Sequence, residues 1–301
     1  MSTIEKALAK QKEAAQKKQT EPVVVKDAEK QPPIIRTKNL SSVSKANNDI
    51  SELPNSGQII LNGDRLTERG FIYSSDSAHH IQEEFRHIKR KLLNNAFGPA
   101  AKTLKHSNLV MVSSSNPNEG KTFISINLAL SIALEQDNTV LLIDADVLRP
   151  SLHRELEFEI KKGLLEYLLA EVDSLSDVIY NTNIPNLKII PAGKPHHLTN
   201  ELLASARMAQ LAEELAERYP DRLVIFDCPP ILGVTETPVL SSLVGQAVVV
   251  VEESKTKIDD VKRAVSELNQ DIAIGCVMNK TIRSNKDVYG YYGYGYGKKH
   301  R

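Results

Sequence analysis

The sequence lacks the residues that mark several classes of protein. None of its 301 residues is tryptophan, and only two are cysteine. Cys228 and Cys276 are too few and too far apart for a disulfide framework or a cysteine-based metal site, and both lie in apolar runs, so we expect both in the core. No apolar run approaches the roughly 18 residues that cross a bilayer, and the first residues lack the apolar segment of a signal peptide. These absences predict a cytoplasmic protein.

An excess of charge of either sign is also absent, because 38 Lys and Arg balance 38 Asp and Glu. The overall composition therefore gives no indication of a nucleic-acid partner. The distribution is uneven, with ten basic against six acidic residues in 1–50 and five against one in 283–301. Basic ends suit an anionic membrane surface or an acidic partner. For residues 1–50, a solvated polar tail is an equal alternative.

The two ends of the chain have the composition of segments without a core. Residues 1–75 are rich in Pro, Asn and Ser, and their apolar runs are short. We expect a largely disordered extension there, with a weak helical pattern near the start and room for a short strand at 59–61. Residues 283–301 are rich in glycine and tyrosine and have no periodicity. We interpret them as a flexible tail.

Between these ends, apolar runs and helical patterns alternate over residues 76–282. The runs "VLLID", "LVIFD" and "AVVVV" are apolar throughout rather than at alternate positions. Such strands are typical of a parallel sheet that is covered on both faces. The alternation with amphipathic helices predicts an α/β domain with a doubly wound, mostly parallel sheet. Order is expected to begin near Asp76.

A phosphate-binding loop is predicted in "SSSNPNEGKTF", residues 113–123. It follows a predicted strand and opens a predicted helix, which is the context that a P-loop requires. Gly120 allows the backbone to approach a phosphate, Lys121 reaches the β- and γ-phosphates, and Thr122 ligates Mg²⁺. Ser115 replaces the usual first glycine. The candidate nucleotide-binding residues here are Pro117, Asn118, Glu119, Gly120, Lys121, Thr122 and Phe123.

Three aspartates follow two predicted strands. Asp144 and Asp146 end "VLLIDAD", and Asp227 ends "LVIFD". Each alone has an ordinary alternative as a helix cap or turn residue. Together beside a P-loop they predict a cation, because like charges repel when they are desolvated. Phosphoryl transfer also needs a base for the acceptor's proton, which is either Asp144 or Asp146 with the other on the metal.

These motifs together resemble those of the bacterial tyrosine autokinases, in particular the kinases linked to exosortase (PEP-CTERM) exopolysaccharide loci. The resemblance covers residues 76–301 and implies a P-loop kinase that uses ATP and Mg²⁺. It implies that Asp144 is the base, that Asp146 binds Mg²⁺ with Thr122, and that Asp227 lies in the outer metal shell. It also implies that Asn279 in "VMNK" reads the adenine. The candidate catalytic residues are Lys121, Asp144 and Asp146.

Two departures from the family pattern concern a helix and an arginine. The family's E-x-x-R-x-x-R helix forms the interface of a ring, and its positions here are Glu83, Arg86 and Lys89, where lysine replaces the last arginine. A solvated helix face is the alternative interpretation. The family's second motif places an arginine where Leu148 stands, and Arg149 follows one position later.

The tail carries five of the nine tyrosines. In such a kinase they are acceptors for another copy's active site, and we hypothesise that their phosphorylation dissociates the ring and regulates exopolysaccharide polymerisation or export. The resemblance further implies a separate membrane protein as activator, which would hold the kinase at the inner face of the membrane. An ATPase switch of the partitioning or division-site type, or a nucleotide-dependent scaffold without catalysis, is the alternative. The acceptors are Tyr289, Tyr291, Tyr292, Tyr294 and Tyr296.

Overall fold

The structure, a computed structural model, describes residues 57–73, 79–135, 137–196, 199–218 and 221–282. The five acceptor tyrosines and most of the expected N-terminal extension lie outside these residues. None of the helices in the described part is long and apolar enough to cross a membrane.

In the residues that the structure describes, seven strands form one sheet. They are ordered β3-β4-β2-β5-β1-β6-β7, and every neighbouring pair is parallel except β3 with β4. The predicted doubly wound, mostly parallel sheet is therefore confirmed. The strands are β1 Leu109–Ser114, β2 Thr139–Asp144, β3 Tyr180–Asn181, β4 Leu187–Ile190, β5 Arg222–Asp227, β6 Gln246–Glu252 and β7 Ala273–Asn279.

Helices cover both faces of this sheet. They are α1 Gly63–Glu68, α2 His79–Phe97, α3 Lys121–Ala133, α4 Leu152–Glu155, α5 Leu164–Leu168, α6 Thr199–Leu203, α7 Ala206–Arg218, α8 Glu236–Ser241 and α9 Ile258–Glu267. Short 3₁₀ turns occur at Pro99–Thr103, Leu175–Asp177 and Ile231–Gly233.

The core consists of two apolar layers, one on each face of the sheet. Alternate residues of a strand point to opposite faces, so Leu109 and Met111 of β1 enter one layer, and Val110 and Val112 enter the other. Helix α3 lies in the second layer and is buried along most of its length. This burial fixes the helix that begins at the predicted phosphate loop.

The described part shows order well before Asp76, so the expectation of a disordered segment up to residue 75 is wrong for residues 57–73. Ile59 forms a parallel bridge with Thr182 of the domain. Helix α1 follows, with the side chain of Asn62 accepting hydrogen bonds from its first amides. Leu66 and Phe71 are buried in the core layer around α3. The composition misled because a few apolar side chains, placed by tertiary contacts, are enough to order a polar segment.

The expectation that both cysteines are core residues is half right. Cys228 is buried, but Cys276 is exposed. The reason is the position of β7 at the edge of the sheet, where its side chains are only partly covered and Met278 is 61% exposed. An apolar run predicted a strand correctly here, but not its place in the strand order.

Candidate active site

The phosphate loop connects β1 to α3 and depends on a glycine. Gly120 has φ = 93°, in the left-handed region, and stands at the N-terminus of α3. A Cβ atom on Gly120 would clash with the side-chain amide of Asn279, which donates a hydrogen bond to the Glu119 carbonyl oxygen at 2.9 Å. Any other residue would meet both a backbone penalty and a steric one. Asn279 thus holds the loop; its predicted contact with adenine stays a prediction.

Glu119 turns its side chain away from the predicted phosphate position. Its carboxylate is buried and accepts hydrogen bonds from the Asn116 amide at 3.0 Å and the Thr256 hydroxyl at 2.6 Å. Lys280 also donates to the Asn118 carbonyl oxygen at 2.7 Å. These bonds fasten the loop to the segment after β6 and to the end of β7. Thr256 and Lys280 carried no motif, so the sequence did not reveal them.

Three buried carboxylates lie together at the carboxyl ends of β2 and β5. Asp144 and Asp227 are paired in register on these neighbouring strands, and Asp146 follows two residues after Asp144. The oxygens of Asp227 accept hydrogen bonds from the hydroxyls of Thr122 at 2.7 Å and Ser125 at 3.0 Å. Burial raises the pKa of Asp227, although Lys121 and the two hydroxyls oppose this rise.

Asp144 has one oxygen that is fixed and one that is free. Its Oδ2 accepts hydrogen bonds from the amides of Ser151 at 3.2 Å and Leu152 at 3.1 Å. Its Oδ1 is buried without a hydrogen-bond partner among the described residues. Burial, reinforced by the charge of Asp227, holds the pKa of Asp144 well above its usual range. A carboxyl with an unshared oxygen and a raised pKa is suited to accept a proton.

Lys121 and Asp146 form an ion pair, with Nζ and Oδ2 2.6 Å apart. Burial acts to lower the pKa of Lys121, but the charges of Asp227 and Asp146 more than offset it, so the pKa is raised. Asp146 also accepts a hydrogen bond from the Arg149 amide at 3.1 Å. Lys121 therefore remains a cation near neutral pH and lies among three carboxyl groups.

In the described part of the chain, one cavity brings several of the predicted residues together, but the buried Asp144 and Asp227 do not line it. It is lined by Gly120, Lys121, Thr122, Phe123 and Asp146. Pro117 and Asn118 also line it, whereas Glu119 and Asn279 do not. The sequence left the role of Arg149 open, and the structure places it in this wall. Further lining residues that carried no motif are Ser151, Arg154, Glu155, Pro229, Pro230, Gly233 and Val234.

The residues present fit a magnesium ion that is shared with phosphates. Thr122 donates its proton to Asp227 and accepts a hydrogen bond from the Ser151 hydroxyl at 2.8 Å, which leaves one lone pair for a cation. Among the residues described, no three His, Cys, Asp or Glu side chains form a complete metal cluster. Mg²⁺ in nucleotide sites is commonly held by one or two carboxylates, phosphates and water rather than by an all-protein cage.

The predicted ring-forming helix face is interrupted at its third position. On α2, Glu83 and Arg86 form an exposed ion pair at 2.6 Å. Lys89 instead points inward and is 8% exposed. Its ammonium donates to the Ser131 carbonyl oxygen at 2.8 Å and pairs with Glu135 at 2.9 Å. An interface role for Lys89 is therefore wrong in this structure, because the side chain ties α2 to α3.

Fold and site together define a nucleotide-binding α/β domain of the P-loop type. Residues 108–273 match the family described as AAA domain. These residues include β1 to β6, the phosphate loop and all three carboxylates.

The more specific relatives are kinases. Tyrosine-protein kinase YwqD of Bacillus subtilis is 32% identical over 77% of this chain and 94% of its own length. The kinase domain of Escherichia coli tyrosine kinase ETK has a TM-score of 0.60 and 31% identity, covering 75% of this chain and 82% of that structure. Tyrosine-protein kinase ptk of Acinetobacter johnsonii is 35% identical over 60% of this chain, which spans only 24% of that protein. This chain belongs to the family of bacterial tyrosine-protein kinases.

Proposed function

We propose that this chain is an ATP-dependent protein-tyrosine kinase that phosphorylates the tyrosines of its own tail in a second copy. The observation that carries this proposal is the arrangement around Asp144. Its buried, unpartnered Oδ1 belongs to the carboxylate group behind the phosphate loop. A nucleotide-binding domain that only hydrolyses ATP has no need of tyrosine-rich segments, and this chain has five tyrosines between 289 and 296.

Binding of ATP falls to the phosphate loop. The amides that open α3 and the ammonium of Lys121 hold the phosphates, since a helix N-terminus and a cation both favour anions. Thr122 and Asp146 hold Mg²⁺, and Asp227 orients the Thr122 hydroxyl from behind at 2.7 Å. When bound, the ion neutralises charge that develops on the phosphates. Pro117, Asn118 and Phe123 shape the wall, and Asn279 lies close enough to the loop to read the base.

The choice between the two candidate bases favours Asp144. The negative charge of Asp146 is balanced by the ammonium of Lys121 at 2.6 Å, and Asp146 is also needed to bind the metal. Asp144 keeps an oxygen free while Ser151 and Leu152 orient the other. In the proposed step, the tyrosine oxygen attacks the γ-phosphorus, the bond to the β-phosphate oxygen breaks, ADP leaves, and the phenolic proton goes to Asp144.

The acceptors and partners complete the proposal. The acceptors are the five tail tyrosines, and copies meet in a ring through the exposed Glu83 and Arg86 of α2. Each phosphate adds about −1.5 to −2 charge at neutral pH, so several of them repel neighbouring subunits. Phosphorylation thereby dissociates the ring and regulates exopolysaccharide polymerisation or export. A membrane protein activates the kinase and holds it at the inner face of the membrane.

Intact-protein mass spectrometry tests this proposal. The full chain is incubated with ATP and Mg²⁺, beside Lys121→Met and a variant with the five tail tyrosines changed to phenylalanine. We expect steps of one phosphate on the wild type that map to Tyr289–Tyr296 and are absent from both variants. Release of free phosphate without protein labelling, even with cytoplasmic fragments of candidate membrane activators, would identify an ATPase switch instead.

A further inference from the structure

The segment of residues 57–73, which we name the N-terminal clamp, reaches the wall of the active site. Its core contacts are with α3: Phe71 packs on Phe123 with ring centroids 5.4 Å apart, and the Ile72 amide donates to the Asn127 side chain at 2.8 Å. These contacts place the end of the clamp beside the helix that begins at the phosphate loop. Arg69 lies two residues before Phe71, at the C-terminal end of α1.

Arg69 binds the C-terminal end of α4. Its Nη1 donates to the carbonyl oxygens of Arg154 at 3.0 Å and Glu155 at 3.1 Å, and its Nη2 donates to the Glu155 carboxylate at 2.9 Å. The last carbonyl groups of a helix have no partners within it and favour a cation. The planar guanidinium satisfies two of them and a carboxylate together, a geometry that a lysine does not reproduce.

The opposite end of α4 holds the proposed base. The amides of Ser151 and Leu152 donate to Asp144 Oδ2, and the Ser151 hydroxyl lies 2.8 Å from the Thr122 hydroxyl. Helix α4 has only four residues, so it is a single turn with little stability of its own. Leu152 anchors it in the core, the carboxylate of Asp144 binds its N-terminal end, and Arg69 binds its C-terminal end.

We propose that Arg69 is a positioning residue of the kinase, which holds α4 so that Ser151 and Leu152 orient Asp144 for proton transfer. Arg69 itself does not line the cavity of the phosphate loop. This inference rests on the proposed function for its effect on the rate. Its structural part, that Arg69 keeps α4 in place, stands independently of which reaction the site performs.

The rate test compares Arg69→Ala with Arg65→Ala. Arg65 is on the same helix, but its side chain is 62% exposed and pairs with the Glu157 carboxylate at 3.4 Å rather than with the carbonyl groups of α4. Tail labelling is measured in the full chain over a range of ATP concentrations. We expect kcat to fall about 10- to 100-fold in Arg69→Ala, the cost of a misplaced catalytic group, with KM for ATP little changed. Arg65→Ala should match the wild type.

Amide hydrogen exchange provides the structural readout. In Arg69→Ala, the amides of Ser151 and Leu152 should exchange about tenfold faster, because opening of α4 becomes easier, while amides of β1 and β5 stay protected. Arg69→Lys, which keeps the charge but not the fork, should lie between alanine and wild type in both measurements. It also serves as the test variant if the alanine variant does not fold.

Three outcomes overturn the inference: unchanged exchange at Ser151 and Leu152, faster exchange with an unchanged kcat, or an equal loss in Arg65→Ala. A wild type that labels no tyrosine under any condition refutes the proposed function. In that case the exchange measurement still decides whether Arg69 holds α4, so the two failures are distinguishable.

Discussion

Replacing Asp144 with asparagine should make the protein more stable and much less active. The wild-type carboxyl is 1% exposed, faces Asp227 and leaves Oδ1 without a hydrogen-bond partner among the described residues. An ionised group in this position is costly, as its raised pKa indicates. Asparagine has nearly the same shape, and its oxygen still accepts from the two amides of α4. The variant removes the charge and keeps the orientation.

The magnitude follows from the linkage between pKa and stability. Each unit by which folding raises a pKa corresponds to about 1.4 kcal/mol of destabilisation when the group is ionised. Asparagine removes this destabilisation. Part of the gain is lost because its NH₂ group takes the place of Oδ1, which has no hydrogen-bond partner among the described residues, and a buried donor without an acceptor costs on the order of 1–3 kcal/mol. We expect a net gain of about 1 kcal/mol, typical of neutralising a strained functional group. For a domain of this size it raises Tm by about 2–4 °C.

The stability difference between Asp144→Asn and the wild type should depend on pH. A carboxyl whose pKa is raised by folding contributes stability when protonated, and this contribution is lost as pH rises through the folded-state pKa. The advantage of Asp144→Asn is therefore full only above the raised pKa of Asp144, and it shrinks as pH falls below that pKa towards about 4, the ordinary value of an aspartate. Tail phosphorylation in the variant should fall by about 10²- to 10⁴-fold, the usual contribution of a general base.

The assay is thermal unfolding without nucleotide and with a chelator, at several pH values. Asp259→Asn is the matched control, because its side chain is 90% exposed and such surface changes stay within about 0.5 kcal/mol. A variant less stable than the wild type at pH 8, or a stability gain that is the same at pH 4 and pH 8, would refute the reasoning.

Three further results are expected. Gly120→Ala should abolish nucleotide binding, measured by calorimetry, because of the φ of 93° and the clash behind the loop; binding at wild-type affinity would contradict this. Lys89→Ala should lower the free energy of unfolding, measured by denaturant titration, by about 1–3 kcal/mol. Arg86→Ala breaks only an exposed ion pair and should lower it by no more than about 1 kcal/mol. A larger loss for Arg86→Ala than for Lys89→Ala would contradict the buried position of Lys89. Thiol reagents should modify Cys276 rapidly in the native protein and Cys228 only after unfolding, since burial holds the pKa of Cys228 well above its usual range; equal rates would contradict the strand order.

Local patterns were sufficient where the chemistry is local. The phosphate loop and the first two aspartates follow strands whose apolar runs are unbroken, and the carboxyl ends of parallel strands meet at one edge. Their convergence at this edge of the sheet could therefore be predicted without coordinates. The direction of the Glu119 side chain could not, because its partner Thr256 is 137 residues away in sequence.

The N-terminal clamp shows the same limit of prediction from sequence. Its composition predicted disorder, yet Arg69 contacts the backbone of Glu155 across 86 residues. Two tertiary contacts likewise favour Asp144 as the base. Lys121 forms an ion pair with Asp146, and the amides of Ser151 and Leu152 bind only one oxygen of Asp144, so its other oxygen stays free. The fold class, the phosphate loop and the set of carboxylates could be predicted because they are encoded in short runs of residues. The contacts of each side chain could not, because they depend on partners distant in sequence that packing brings within hydrogen-bond distance.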